Sequence, residues 1–506
     1  MAASTSSSEI QSESSDLPQG SESPPVWMYH LKDKLASIQL QLSKGSSIRR
    51  APNQLRKVDE EAYSPRIVSI GPLHSSTTKD RDHLLAMDEL KLLYTVYLVH
   101  RTTDPNKILH QCGEAIFKLA DDRVRPSYAE DIKFKRGELA EIMLVDGCFI
   151  LELFFRSRYP PAATEEDPIF HNAWMDRDLR HDLALLENQI PFFILQVLFN
   201  KIVSSLNEEN KFINPSYSVN YLALSFFNLD QEAIRRSCSQ DADHLPDPDH
   251  LLDLLHHSYV LMLKPEGSNP TNDLHVPVGD DTTARDDSEG SSRHTQNSVP
   301  VGKECRGFTK NATELLEAGI VFKKSDQEAR EGDWLKISHL RSGVITIPPL
   351  RIDERRKSLL RNLVAFEQCL SSRGKEFTSY AILMNSLIHH PRDVELLRKK
   401  GIITNDLIEV EGIFNFFKNI TVGVVSKNYC FGKLCEDVNA YQESGWNWHR
   451  LEGFVMVWCY RCMEELEELK RKYFSSPWTT IAVMAASAGL FLTALQTYYA
   501  ARSDGA

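Results

Sequence analysis

The stretch from Leu179 to Leu198 reads LRHDLALLENQIPFFILQVL, and its alternation of apolar runs with a short polar insert points to packed helices. Pro191 suits the first turn of a new helix, where its missing N–H costs no hydrogen bond. Asn188, just ahead of it, is a candidate helix cap. Glu187, Asn188 and Gln189 stand between apolar neighbours and must find polar partners if they are buried.

Helical patterning continues on both sides of this stretch. Apolar residues recur at three- and four-residue steps, which is typical of amphipathic helices. In the helix that begins at Lys135 we expect a break at Asp146-Gly147. The predicted helices span Trp27–Leu42, Asp82–His100, Asp104–Ala120, Lys135–Arg156, His250–Leu263, Lys357–Leu370, Phe377–His389, Asp393–Lys399, Val410–Lys418 and Trp446–Tyr473.

A small β element interrupts the helices. A short helix at Thr313–Glu317 precedes three apolar runs typical of strands, at Ile320–Phe322, Leu335–Ile337 and Gly343–Ile347. The predicted fold is therefore mainly α: a large helical body with a small β element and one C-terminal transmembrane helix.

The predicted domain organisation follows from composition. Residues 1–26 are rich in serine and poor in apolar residues, which predicts disorder. Residues 27–474 form the helical body, and its polar stretch 265–303 is expected to be a mobile insertion. Residues 477–501 form the expected transmembrane helix, and residues 502–506 a short tail.

The C-terminal segment indicates a membrane anchor. No charged residue occurs from Tyr473 to Ala501, and about 20 mostly apolar helical residues suffice to cross a bilayer. Residues 1–25 lack the basic segment and the following apolar segment of a signal peptide. We therefore expect a tail-anchored membrane protein. The alternative is a buried terminal helix of a soluble protein.

Charges beside this segment predict its orientation. Lys470, Arg471 and Lys472 precede it, whereas only Arg502 and Asp504 follow, so the positive-inside rule places the body in the cytosol. The sequons at Asn311 and Asn419 are the support for the opposite topology. Small residues at four-residue spacing allow helix self-association, which makes a homodimer possible through Ala482, Ala485, Ala486 and Gly489.

Composition narrows the partners. The 506 residues carry 58 Lys and Arg against 70 Asp and Glu, a net charge of −12, which argues against nucleic-acid binding. Nine dispersed cysteines favour free thiols over a disulfide framework. The expected partners are the membrane and one or more unidentified proteins.

We predict no catalytic, cofactor-binding or metal-binding residues. Serine-hydrolase, P-loop, dinucleotide and zincin motifs do not occur in the sequence. The CxxC pair Cys459 and Cys462 lacks a second ligand pair, so zinc is not expected. The doublets His256-His257 and His389-His390 place adjacent side chains too far apart around a helix to share one ion. Asp146 and the Glu187–Gln189 trio are interpreted as structural polar groups, with catalysis as the alternative.

Several stretches together resemble the plant domain-of-unknown-function 247 family, in order from about Val58 to Tyr499. One departure concerns His339-Leu340, where the family usually has an aromatic residue. The matching stretches are Ser69–His74 (SIGPLH), Met143–Phe154 (MLVDGCFILELF), Asp182–Phe192 (DLALLENQIPF), Ala312–Ile320 (ATELLEAGI), Ile347–Asp353 (IPPLRID), Arg361–Cys369 (RNLVAFEQC) and Ser475–Trp478 (SSPW) before an apolar tail.

The resemblance implies a plant protein with a C-terminal membrane segment and no established catalytic activity. Some members are implicated as recognition components in the self-incompatibility of grasses. We therefore expect a non-enzymatic, membrane-anchored recognition or scaffold protein. The process that the resemblance implies is cell–cell or self-incompatibility-type recognition. The alternative is an enzyme of unrecognised class with a pocket between helices, where Asp146, Glu187 or a histidine would act.

Overall fold

The computed structural model divides the chain into two compact units, residues 1–46 and 47–506. In the first unit the described residues 28–32 and 35 are helical, within the predicted helix Trp27–Leu42. The structure describes residues 28–32, 35, 46–75, 82–159, 167, 169–210, 217–229, 231–238, 247–263, 307–325, 335–340, 343–370, 373–404, 408–425, 429–443, 455, 458, 462, 485 and 488–496.

The described residues between 47 and 263 form helices that are joined by irregular connections. The longest of these helices agree closely with the sequence-based boundaries. The helices are α1 (Asn53–Arg56), α2 (Pro72–Ser75), α3 (Asp82–His100), α4 (Pro105–Leu119), α5 (Arg136–Arg158), α6 (Ala173–Asp182), α7 (Phe192–Val203), α8 (Val219–Phe226), α9 (Gln231–Cys238) and α10 (Leu251–Leu263).

Helix α5 lies at the centre of this half and corrects one prediction. It runs unbroken from Arg136 to Arg158, so the break expected at Asp146-Gly147 is wrong. The glycine serves close helix packing instead, since a Cβ there would lie 2.5 Å from Leu198 Cδ1. Gly147 therefore lets α7 approach α5 directly, while the rest of the helix keeps its hydrogen bonds.

A second correction concerns the cap of α7. Pro191 is the N-cap of this helix, one position before its first turn. Asn188 does not cap it, because its side chain bonds to Ile70, Val68 and Asp182 instead. A tertiary role thus replaces the predicted local one.

The region after residue 306 contains the small β element. The first strands form a three-stranded sheet of order β1-β3-β2, with β1 parallel and β2 antiparallel to β3. A two-stranded parallel sheet pairs β4 with β5. The elements are α11 (Ala312–Glu317), β1 (Val321–Lys324), β2 (Ser338–Leu340), β3 (Val344–Ile347), β4 (Leu350–Arg351), α12 (Glu354–Cys369), α13 (Glu376–Leu387), α14 (Pro391–Lys399), β5 (Ile403–Thr404), α15 (Val410–Ile420) and α16 (Gly432–Glu443).

The mainly α fold with a small β element is confirmed. The second strand was predicted three residues too early, because Leu335 is buried beside the sheet without joining it. One continuous hydrophobic core contains residues from both sides of the predicted insertion, from Ile48 to Val438. The two halves therefore fold together around shared apolar contacts.

Several predictions lie outside the described residues: the disordered segment 1–26, the mobile insertion 265–303 and the tail 502–506. Of the predicted helix Trp446–Tyr473 only Val455, Trp458 and Cys462 are described, and all three are helical. Of the predicted span 477–501, residues 485 and 488–496 are described and helical. Among the described residues, no helix combines the length and the apolarity needed to cross a bilayer.

Candidate functional site

The polar residues of the 179–198 stretch are enclosed and paired. The Asp182 carboxylate accepts hydrogen bonds from the backbone N–H groups of Arg66, Ile67 and Val68, at 2.8 to 3.0 Å. Asn188 accepts from Ile70 N at 2.7 Å and donates to Val68 O at 3.0 Å. These two side chains hold the segment that leads into α2.

Glu187 is fully buried and binds cations that converge from the N-terminal side of the unit. Its carboxylate lies 3.0 Å from Arg50 Nη1 and 2.5 Å from Arg56 Nη1, and it also accepts from Ala51 N. Burial opposes the charge of Arg56, but the hydrogen bond to Glu187 raises its pKa above the usual value. Glu187 therefore takes part in a structural ion-pair cluster.

Asp146 is the second predicted polar candidate and is equally enclosed. Its carboxylate contacts Lys91 Nζ at 2.8 Å and Gly71 N at 2.7 Å. Burial raises the pKa of Asp146, and the contact with Lys91 opposes that rise. We refer to Asp146, Asp182, Glu187, Asn188 and Gln189 together as the polar core.

One histidine of the predicted doublets lies in a cluster with metal-ligand character. Ligand atoms of His256, Glu367 and Glu376 lie within 4.8 Å of one another. The Glu367 carboxylate, however, accepts from His256 Nε2 at 2.9 Å and from the N–H groups of Phe377 and Thr378 at 3.0 and 2.7 Å. Because Glu367 binds the first turn of α13, we interpret the cluster as a helix anchor.

The remaining candidates are scattered. His389 and His390 are exposed beside α14. Of the CxxC pair, Cys462 is among the described residues and Cys459 lies outside them. Asn311 is buried and caps α11, its side-chain oxygen accepting from Glu314 N at 2.9 Å. Asn419, the other sequon residue, is exposed.

A groove between α12 and α15 collects polar side chains that sequence reasoning missed. Its cavity has a volume of ≈ 550 Å³, which lies within the usual range of ligand clefts. One wall is the α12 face with Glu354, Lys357, Ser358 and Arg361; another is the α15 face with Gly412, Asn415, Phe416 and Asn419; the third is formed by Asp59, Glu61, Ala62, Ser64, Pro65 and Arg66.

Hydrogen bonds from α12 position two walls of this groove. Asn362, on α12, accepts a hydrogen bond from Leu186 N at 2.8 Å and donates to Ala62 O at 2.8 Å. Ser358 Oγ donates to the same carbonyl at 3.2 Å. The 59–66 segment and α12 are thereby fixed to each other and to the 179–198 stretch.

Arg361 is the most enclosed charge of the groove, with 9% of its side chain exposed. Its Nε lies 3.2 Å from Asp59 Oδ2, and its guanidinium carbon lies 5.2 Å from the centre of the Phe416 ring. Lys357 pairs with Glu354 at 2.6 Å on the same helix. The groove thus carries both signs of charge, held in place mainly by α12.

Asn415 and Asn419 supply the amide groups of the opposite wall. They are four residues apart and both are exposed. Their carboxamides have no hydrogen-bond partner in the part of the chain that the structure describes. Asn415 lies in the predicted helix Val410–Lys418 and Asn419 directly follows it. Their four-residue spacing was the available signal, but it does not show what lies opposite.

The groove offers little nucleophilic chemistry. Its two hydroxyl groups donate to backbone carbonyls, Ser358 Oγ to Ala62 O and Ser64 Oγ to Glu60 O. No histidine or cysteine is among the described residues that line it. An activated nucleophile needs an adjacent base, so this arrangement is suited to binding.

Comparisons with known proteins agree with the motifs. A family model described as a plant protein of unknown function, DUF247, matches residues 48–492. The chain is 29% identical over 454 residues to UPF0481 protein At3g47200 of Arabidopsis thaliana, which covers 88% of this chain and 84% of the relative. It is 22% identical over 505 residues to putative UPF0481 protein At3g02645 of the same plant, covering 89% of each. No solved structure matches the chain.

Proposed function

Because the chain belongs to the DUF247 family of plant proteins of unknown function, we propose a function from its own geometry. It is a non-enzymatic recognition or scaffold protein, and the groove between α12 and α15 binds a partner protein. The observation that carries this proposal is the combination of an open cavity of ≈ 550 Å³ with exposed amides at Asn415 and Asn419.

The enclosed state of the other candidates supports binding over catalysis. An enzyme with a pocket between helices would need Asp146 or Glu187 to face substrate. The Asp146 carboxylate instead contacts the buried Lys91, the Glu187 carboxylate contacts the partly buried Arg56, and both accept from backbone N–H groups. Removing either carboxylate would leave its cation without this partner, which destabilises a fold.

The second part of the proposal is the membrane anchor. Residues 477–501 insert as a C-terminal helix, the body faces the cytosol, and Ala482, Ala485, Ala486 and Gly489 provide a surface for a homodimer. The charge-free sequence from Tyr473 to Ala501 supports insertion. Residues 488–496 are helical with Leu490, Phe491 and Leu492 exposed, as a helix facing lipid requires.

Site-specific photo-crosslinking tests the recognition role. A photoreactive phenylalanine analogue replaces Asn415 in the full chain expressed in plant cells. Asn106, an exposed asparagine of α4, is the matched control position. We expect position 415 to crosslink a discrete protein that position 106 does not crosslink. Equal products from both positions would refute recognition through the groove.

Carbonate extraction of membranes tests the anchor separately. The full chain should stay in the membrane pellet, whereas a chain ending at Tyr473 should be released, because it lacks the apolar segment. Release of the full chain together with aggregation of the shortened one would identify the segment as a core helix.

A further inference from the structure

We propose that the groove binds an extended peptide segment that carries an acidic side chain. Asn415 and Asn419 pair with the peptide backbone, and Arg361 binds the peptide carboxylate. This inference rests on the proposed function and names the chemistry of its partner.

The spacing of the two amides fits a peptide backbone. Four helical residues advance about 6 Å along the axis, and two residues of an extended chain advance about 6.6 to 6.8 Å. A carboxamide both donates and accepts, like a peptide group. Asn415 and Asn419 can therefore bind peptide groups two residues apart along one edge of an extended segment.

The length of the groove limits the segment. The α15 wall runs from Gly412 to Asn419, a rise of about 10 Å. About three extended residues span that distance. The recognised core is thus short, and longer partners continue beyond both ends.

Arg361 provides the contact for an acidic side chain. The guanidinium has five N–H donors, and among the described residues only Asp59 lies opposite it as an ion-pair partner, on the Nε side. The side chain is more than nine-tenths buried and still lines the groove. A carboxylate of the peptide would bind the remaining donors in a geometry that arginine favours.

The surrounding charges select a carboxylate over a phosphate. Three carboxylates, of Asp59, Glu61 and Glu354, line the same cavity as the three cations Arg66, Lys357 and Arg361. The lining therefore has no excess positive charge to balance a phosphate dianion, whereas a single negative charge needs less compensation. Glu61 has no ion-pair partner among the described residues, so a basic residue elsewhere in the peptide suits that end of the groove.

The test uses the full chain, purified in a mild detergent, and a random library of nine-residue peptides. Peptides that the chain enriches are synthesised, and their Kd values are measured by fluorescence polarisation. We expect an Asp or Glu at one fixed position. The double variant Asn415→Ala/Asn419→Ala should weaken binding at least about tenfold, because two hydrogen bonds are lost. The control variant Asn106→Ala should bind normally.

Two further measurements separate the contacts. N-methylation of one central peptide amide should weaken binding to the wild-type chain and have little further effect on the double variant. Replacing the peptide acid by its amide should weaken binding about tenfold or more to the wild-type chain but not to Arg361→Gln. If Arg361→Gln does not fold, Arg361→Lys, which keeps the charge and loses the forked donors, should reduce the preference instead.

Enriched peptides that bind the double variant as well as the wild type, or an absence of enrichment, would overturn this inference. The photo-crosslink distinguishes that result from failure of the proposed function. If position 415 still crosslinks a protein, the groove recognises a folded surface and the recognition role stands. If neither peptide nor crosslink is found, both proposals fall.

Discussion

Asn188 and Asn415 are the same residue type in opposite circumstances. Asn188 is fully buried and bonds to Ile70, Val68 and Asp182. Asn415 is exposed in the groove and has no partner among the described residues. The side-chain amide of Asn188 forms its hydrogen bonds within the fold, whereas the side-chain amide of Asn415 can form hydrogen bonds with a ligand.

The same contrast applies to the charged groups. Glu187 and Asp146 bind cations and backbone N–H groups within the core. Arg361 has one acidic neighbour and lines an open cavity. Substitutions in the polar core should therefore reduce stability, whereas exposed groove substitutions should reduce binding alone.

The largest expected effect tests how tightly the polar core is packed. Gly71 has a φ of +72°, and a Cβ there would lie 2.4 Å from Gln189 O. Gly71→Ala should lower the free energy of unfolding by more than about 4 kcal/mol, because backbone strain and a backbone clash combine. Urea unfolding of the full chain, followed by tryptophan fluorescence, measures it.

The matched control is Gly137→Ala on α5, where a Cβ would have nothing within 4 Å. It should be neutral or stabilise the chain by up to about 1 kcal/mol, because alanine favours the helix. Similar losses at both glycines would contradict the close packing of Gly71 on Gln189.

A smaller effect compares the two asparagines directly. Asn188→Ala leaves Ile70 N–H and two buried carbonyls without their partner, and should cost about 3 kcal/mol of unfolding free energy. Asn415→Ala should change it by no more than about 0.5 kcal/mol, because the side chain is exposed. If urea unfolding showed comparable losses of unfolding free energy for the two variants, the distinction between the polar core and the groove would be contradicted.

The smallest effect concerns pH. Burial lowers the pKa of His250 to about 3, and nearby Arg373 and His256 act in the same direction. The unfolded chain takes up this proton near its ordinary pKa of about 6.5, so stability falls as pH drops from there toward 3. Between pH 7 and pH 5 the loss from this residue should be about 2 kcal/mol.

Urea unfolding of wild type and His250→Gln at both pH values isolates that loss, since Asp253 and Arg373 remain beside the site in both proteins. The variant should show a pH dependence weaker by that amount. The same substitution at exposed His110 is the control. An unchanged pH dependence in His250→Gln would show that another group dominates.

Much of the helical framework was predictable from the sequence. The sequence placed α3 and α4 almost to the residue. For α4 the reason is its amphipathic spacing, which is a local property. The break at Gly147 and the cap at Asn188 were wrong for one shared reason. Each residue makes a distant contact, with Leu198 or with the 66–70 segment, that outweighs its local preference.

The groove was not predictable in the same way. Its walls come from residues 59–66, 354–361 and 412–419, and no local pattern shows that these segments meet. Asn415 reads locally as an ordinary helix-surface residue. The hydrogen bonds of Asn362 and Ser358 to Ala62, together with the Arg361–Asp59 ion pair, join the first two walls.

The sequence by itself determined the helical class, the family, and the charge-free C-terminal segment, because periodicity, ordered motifs and composition are properties of the chain. The tertiary structure decided which polar residues form hydrogen bonds within the fold and which remain accessible to a ligand. Hydrogen-bond partners such as Asp182 with Val68, or Arg361 with Asp59, are far apart in sequence. Their pairing depends on the packed core that brings them within 3 Å or so of each other.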